Sequence, residues 1–278
     1  MSGGKDKTLP EKLKQFFKFA KSPAPAASSA QQTAPLLRLR VEKFLLTREV
    51  QSSISREAPT AQRLKALQEI GEAVAVKRIE DDAAETLWLL INDLFVQNAV
   101  EERHAALVFL KQLIMGQYER LGMLRVYIFD VIRESIYHED VAILIELLKA
   151  MSNTGKDLLY MEDTIGLFLL HFLPRVSQSQ LMAEFLPFLL NVIKFNSAYV
   201  DGNVIDGVVR CLCDLAVKSL SEQDEQQTLV IVSVFDAIIC YSNLPNESIV
   251  VFTSTLCRLV NKQALNRAVW KVNVWFDF

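Results

Sequence analysis

Glycine and proline are scarce in this chain, nine and eight among 278 residues. Folds built from many short hairpins need more turn-formers than that, so an all-β architecture is disfavoured. There is no excess of positive charge: the net charge is −3 and the isoelectric point about 5.8. A basic nucleic-acid-binding domain is therefore not expected. The four cysteines, Cys211, Cys213, Cys240 and Cys257, form no extracellular disulfide framework, and no signal peptide precedes them. No apolar run reaches the roughly 18 residues that span a bilayer. The longest, IGLFLLHFL and TLVIVSVFDAIICY, read as buried helices. Together these absences point to a cytoplasmic protein.

Catalytic signatures are missing too. No GxGxxG or GxSxG occurs, and the GK of NTGKD lacks both the upstream glycine and the Ser/Thr of a phosphate loop. Cys211 and Cys213 are two apart, so on a helix their side chains point about 200° away from each other, as residues that pack rather than ligate. His104, His138 and His171 lie about one repeat apart and do not converge in a stacked array. His104 reads as a solvent-facing residue of a first helical turn, and His171, inside LFLLHFL, as a core or interface residue. The acidic pairs Asp81–Asp82 and Glu101–Glu102 fall at helix starts, where carboxylates offset the helix dipole. No catalytic, cofactor-binding or metal-binding residue is assigned. The chain reads as a non-enzyme without cofactors.

What is present is apolar residues, 51% of the chain, at helical spacing. VAILIELLKAM places Val141, Leu144, Ile145, Leu148 and Met151 on one face, and the stretch from Arg120 does the same with Leu121, Leu124, Ile128 and Val131. Helix starts are expected near Thr60, Glu101, Asp140, Ser177, Glu225 and Ala264. These are roughly 40 residues apart, with one interval nearer 48, and each interval holds a second helix. That period predicts an all-α fold, a right-handed α-solenoid of HEAT/armadillo-type helix pairs. Pro187 interrupts QLMAEFLPFLLNVIKF, whose Leu181, Phe185, Phe188, Leu189 and Val192 face inward, and so predicts a bent first helix. KFNSAYVD (Lys194–Asp201) occupies the slot between first and second helices. So do SNTGKD (Ser152–Asp157) and YSNLPNES (Tyr241–Ser248), so all three read as turns. Asp201 and Asn246 are placed to cap the helices that follow.

The expected organisation is a basic amphipathic helix over 1–21, a flexible linker over 22–35 and a solenoid of about five to six helix pairs over 36–278. In the first helix Leu9, Leu13, Phe16, Phe17 and Ala20 share a face bordered by Lys12, Lys14, Lys18 and Lys21. It reads either as a terminal helix docking on its own body or as a segment touching a membrane or partner. The linker, SPAPAASSAQQTAP, is too poor in large apolar residues to bury a core. The aromatic end, with Trp270, Val272, Val274, Trp275, Phe276 and Phe278, lacks the polar cap of a terminal repeat. It is expected to behave as a cut through a longer array, prone to self-association.

Several irregular strings add a resemblance. ALQEIGEAVAVKRIEDDAAETLW, RHAALVFLKQLIMGQYERLGMLR, VIKFNSAYVD and DAIICYSNLPNESIVVFTSTLCRLVN resemble the amino-terminal solenoid of the tuberin family from about Val41 to Lys271, and KLKQFFKFAK resembles the short basic–aromatic segment that precedes that solenoid. The resemblance implies a module that binds hamartin, which presents a long helical coiled coil. It also implies membership of a GTPase-activator complex that acts on the small GTPase Rheb and restrains TOR signalling. With that complex would come a peripheral place on the lysosomal membrane. The match is lost after Trp270 and Lys271, and the family's catalytic asparagine corresponds to no position here. The chain therefore reads as a short isoform, a fragment or the product of a mispredicted gene. The alternative is a generic armadillo-type adaptor for a peptide or helical partner.

Overall fold

A computed structural model describes residues 42–96, 99–177 and 181–260. The expected N-terminal helix and linker and the aromatic C-terminal end lie outside these residues, as does the helix start expected near Ala264. Within the described residues the fold is an all-α solenoid. Helix α1 (Arg48–Ile54) leads into five successive helix pairs. These are α2 (Thr60–Val76) with α3 (Ala83–Ile91), α4 (Val100–Gln117) with α5 (Leu124–Glu134), and α6 (Val141–Met151) with α7 (Ile165–Ser177). The last two are α8 (Met182–Asn196) with α9 (Gly202–Glu222) and α10 (Glu225–Tyr241) with α11 (Asn246–Val260). First helices begin at Thr60, Val100, Val141, Met182 and Glu225, giving repeats of 40, 41, 41 and 43 residues.

The pairs stack in two layers. First helices pack in the order α2, α4, α6, α8, α10, and α7, α9 and α11 pack in the second layer. A first helix therefore meets neighbours on both sides, so its apolar surface must be broad. α6 illustrates this, since Ile143 and Leu147 are buried along with Val141, Leu144, Ile145, Leu148 and Met151. Phenylalanines continue the core through the middle repeats. Phe129 meets Phe168 edge-on at 5.1 Å, Phe168 stacks on Phe172 at 4.8 Å, and Phe185 lies 5.5 Å from both Phe172 and Phe188. Burying one such ring contributes about 1.5–3 kcal/mol.

Proline sits inside two helices. Pro187 is sixth of the fifteen residues of α8, where its missing N–H leaves the Ala183 carbonyl without its helical donor. Pro174, near the end of α7, is a second case that periodicity alone did not single out. The helix start expected at Ser177 is displaced. α7 runs through Ser177, whose hydroxyl donates back to the Pro174 carbonyl at 2.8 Å and so belongs to a helix end. With the true start at Met182 the apparent 48-residue interval shrinks to 43.

The three polar slots are turns. Lys194–Asp201 closes α8, passes through a 3-10 turn (Ser197–Tyr199) and ends on Asp201, whose Oδ1 accepts from the Val204 N–H at 2.9 Å. In Ser152–Asp157 the chain reverses through Asn153, Thr154 and Gly155, with φ of 47°, 57° and 84°. The third slot differs from expectation. Asn246 is the first residue of α11 and not its cap. The Pro245 carbonyl instead accepts from Ser248 N–H at 3.0 Å, since proline has already set the backbone for the helix to begin.

A short parallel pairing closes the first repeat, with β1 (Lys43–Phe44) against β2 (Arg78–Ile79) in register Lys43↔Arg78 and Phe44↔Ile79. Close approach of α2 and α4 depends on glycine. A Cβ on Gly116 would lie 2.0 Å from the Val74 carbonyl oxygen, whereas one on Gly71 would clash with the flexible end of Gln112 and touch Phe109 at an ordinary 3.4 Å. We predict that Gly116→Ala lowers stability by about 2–3 kcal/mol, because a backbone must move, while Gly71→Ala costs less than half as much. Urea unfolding of both variants checks this, and equal losses would contradict the helix contact.

Candidate interaction surface

The residues singled out from sequence do not assemble. His104 is exposed in the first turn of α4, His138 is exposed between α5 and α6, and His171 is exposed on α7 rather than in the core. The run LFLLHFL is apolar, but position 171 falls on the outward side of a helix whose buried face is Ile165, Phe168, Leu169, Phe172 and Leu173. Cys213 is buried and Cys211 half-buried, and burial raises both thiol pKa values, which keeps them protonated and poorly nucleophilic. Asp81 and Asp82 precede α3, and Glu101 and Glu102 occupy the first turn of α4. The GK of NTGKD is a turn in which a Cβ on Gly155 would stand 2.6 Å from the Phe188 carbonyl oxygen, leaving no cradle for a phosphate. Among the described residues no three His, Cys, Asp or Glu side chains are grouped to hold a metal ion.

Sequence reasoning missed the buried arginines. Arg63 and Arg103 are each the fourth residue of a first helix. Arg63 is bidentate to Asp93 at 2.7 and 2.9 Å and also donates to the carbonyls of Ile54 (2.9 Å) and Leu90 (2.7 Å). Arg103 pairs with buried Asp140, binds Glu139 at 2.8 Å and lies 3.5 Å over the centroid of the Tyr137 ring. Each arginine ties the start of its repeat to the connector leaving it. Others tie one repeat to the next: Arg125 binds Asp157 at 2.7 Å, and Arg175 donates to the Ser135 carbonyl at 2.8 Å. A signal was present in sequence, since two arginines 40 residues apart share one position of the repeat.

Above Arg103 and Asp140 opens a cleft of about 370 Å³ between α3, α5 and the connectors that follow them. Its wall is aromatic. Trp88 stacks on Phe95 at 5.6 Å and on Tyr127 at 5.9 Å, bridging two repeats. Val96 and Ile136 extend that wall and are 82% and 77% exposed, far more than a core needs. Asp130 and Glu134 form an acidic rim, each held by Arg133. Among the described residues the lining holds no histidine, cysteine or lysine. Its chemistry is contact, suited to an apolar or aromatic side chain with a polar edge.

The polar staples generate two predictions. Asp140 Oδ1 and Ser135 Oγ are buried without a hydrogen-bond partner, so the Arg103–Asp140 pair already sits in a demanding site. We expect Arg103→Met to cost about 3–5 kcal/mol by stranding a buried carboxylate, with Asp140→Leu in the same chain recovering much of it. Additive losses in denaturant unfolding would contradict the coupling. The Arg63 hydrogen bonds hold the Asp93 carboxyl below the usual range. At Asp157 burial pushes upward but the Tyr118 hydroxyl and Arg125 prevail, so its pKa is also lowered. A depressed carboxyl contributes stability that is full above its unfolded pKa of about 4 and is lost as pH falls through the folded value. Melting temperature should therefore drop steeply below about pH 4 and less steeply in Asp93→Asn, which starts lower at pH 7. Parallel curves would show that Asp93 is not involved.

A family model described as "Domain of unknown function (DUF3384)" matches residues 60–273. Among solved structures, the chain is similar to the TSC2 (tuberin) N-terminus, with TM-score 0.70 and 13% identity over 82% of this chain and 58% of that one. It is also similar to a designed armadillo repeat protein, with TM-score 0.52 and 11% identity over 82% and 99% of the two chains. At such identities the likeness carries the fold, which is the one expected from the tuberin resemblance. The chain spans 58% of the length of the first of these structures. With three quarters of its residues matched, the chain belongs to the family described as domain of unknown function DUF3384.

Proposed function

We propose that this chain is a protein-interaction solenoid that binds hamartin within a GTPase-activating complex that acts on Rheb and restrains TOR signalling. It works in the cytoplasm and reaches the lysosomal membrane only as part of that complex. The observation that carries the proposal is the likeness in fold to the TSC2 N-terminus over 82% of the chain. The layered helices suit the role, because stacked pairs present a long surface against which a helical rod can lie. The aromatic cleft bridging α3 and α5 also supports a second reading, an adaptor that takes up a peptide side chain there.

The proposal separates binding from chemistry. GTPase activation requires a residue delivered into the nucleotide site, contributing on the order of 10³–10⁵ in rate. The binding share alone is proposed for this chain. We expect saturable binding to a hamartin coiled-coil fragment by titration calorimetry, and Rheb hydrolysis at its intrinsic rate when the chain is titrated into GTP-loaded Rheb. Stimulated hydrolysis by the chain alone would overturn the division. Absence of binding to every hamartin segment would overturn the partner.

A further inference from the structure

The turn between α8 and α9 lies against the turn of the preceding repeat and is fastened to it. Asn191 Nδ2 donates to the Thr154 carbonyl at 2.8 Å, and Asn196 Nδ2 donates to the carbonyls of Gly155 (2.9 Å) and Lys156 (3.2 Å). Holding the turn there requires unfavourable backbone. Thr154 is β-branched yet left-handed at φ 57°, and Tyr160 is left-handed at φ 69°. Each such residue costs about 1–3 kcal/mol, retained only where the surroundings over-determine it.

This arrangement places two cations beside one ring. Lys156 Nζ and Lys194 Nζ each lie 5.7 Å from the centroid of Phe195, which is itself 54% exposed. Tyr160 and Tyr199, on the same two turns, are also exposed. Neither lysine has an ion pair with a carboxylate of the described residues. The adjacent carboxylate, Asp157, is committed elsewhere. Its Oδ2 accepts from Tyr118 and Arg125, and its Oδ1 accepts from Leu159 N–H. Each ammonium group lies 5.7 Å from the same ring centroid, so carboxylates brought to that ring are attracted by both. The exposed ring offers apolar contact beside that charge.

We propose that Lys156, Phe195 and Lys194 form a docking clamp for the acidic face of a protein helix, in which acidic side chains of that face meet the two ammonium groups while an apolar neighbour covers Phe195. The clamp rests on the reading of the chain as a binder of a helical partner and supplies that reading with a point of contact. An anionic bilayer fits less well. Adsorption to one draws on clusters of about 4–8 basic residues, whereas two stand here on a chain of net charge −3.

The test uses the whole chain and a hamartin coiled-coil fragment. Lys156→Glu with Lys194→Glu should weaken binding at least roughly tenfold at low salt, with the loss shrinking as salt rises. Lys156→Arg with Lys194→Arg should keep binding within about threefold, since both charges remain. Lys65→Glu, an exposed reversal on α2, should leave it unchanged. Hamartin binding that is indifferent to the double reversal overturns the clamp and leaves the proposed function standing. Absence of hamartin binding overturns the proposed function, and the clamp is then judged on a synthetic helical peptide carrying glutamates at i and i+4. Saturable, lysine-dependent binding of that peptide sustains the clamp, and its absence overturns it. Lysine-dependent binding to phosphatidylserine vesicles, with none to either protein probe, also overturns it and assigns the surface to a membrane.

Discussion

Among the described residues, the helix pairs depend on their neighbours to bury their apolar faces. α6 is buried on more than one side and has only one partner within its pair, so the rest of its cover must come from neighbouring repeats. That requirement explains the period. Each repeat must present the same faces at the same height, which holds its length to 40–43 residues. The polar network obeys the same spacing. Hydrogen bonds from Gln117 to the carbonyls of Val74 and Lys77, from Asn191 to Thr154, and from Ser248 to Asp206 join residues 37 to 43 apart, one repeat away.

The arginine staples show how connectors are managed in such a stack. A connector crossing the end of a helix pair leaves carbonyls that its own helices do not use, and a guanidinium with five donors can collect several at once. Arg63 satisfies two carbonyls and one carboxylate in this way. The equivalent fourth position reads Arg63, Arg103, Leu144, Phe185 and Thr228 along the array. Charge at the first two gives way to apolar packing at the next two, where the phenylalanine series lies. Buried ion pairs add little net stability compared with apolar packing, because desolvation offsets their attraction. In the first two repeats they tie the connector that leaves each repeat to the start of its first helix.

Period, turn slots and the place of Pro187 were legible in sequence because each depends on local spacing. What spacing could not reveal depended on tertiary direction. Ser177 has the composition of a cap, but its hydroxyl points back into α7. His171 lies in an apolar run, but a run of that length passes around the whole helix and leaves some positions outside. The cleft was hidden because Trp88, Phe95 and Tyr127 come from two repeats and meet only once those repeats stack. Trp88 and Tyr127 are 39 residues apart, close to one repeat, and that separation was the available clue.

The surfaces left for recognition follow from the same economy. Stacking consumes the helix flanks and leaves the outer faces of the layers, where Leu89, Leu167 and Val250 are exposed, and the two rims, where helices turn into one another. The cleft over Arg103 lies at the rim of the connectors between repeats, and the Lys156–Phe195–Lys194 group at the rim of the turns within them. These are opposite ends of the helices, and they differ in chemistry: one is aromatic and rimmed by carboxylates, the other aromatic and cationic. A single straight helix along one rim reads only one of them. A partner that engages both must cross the helix layers or bring a second segment, and the two charge signs then fix which segment lies on which rim.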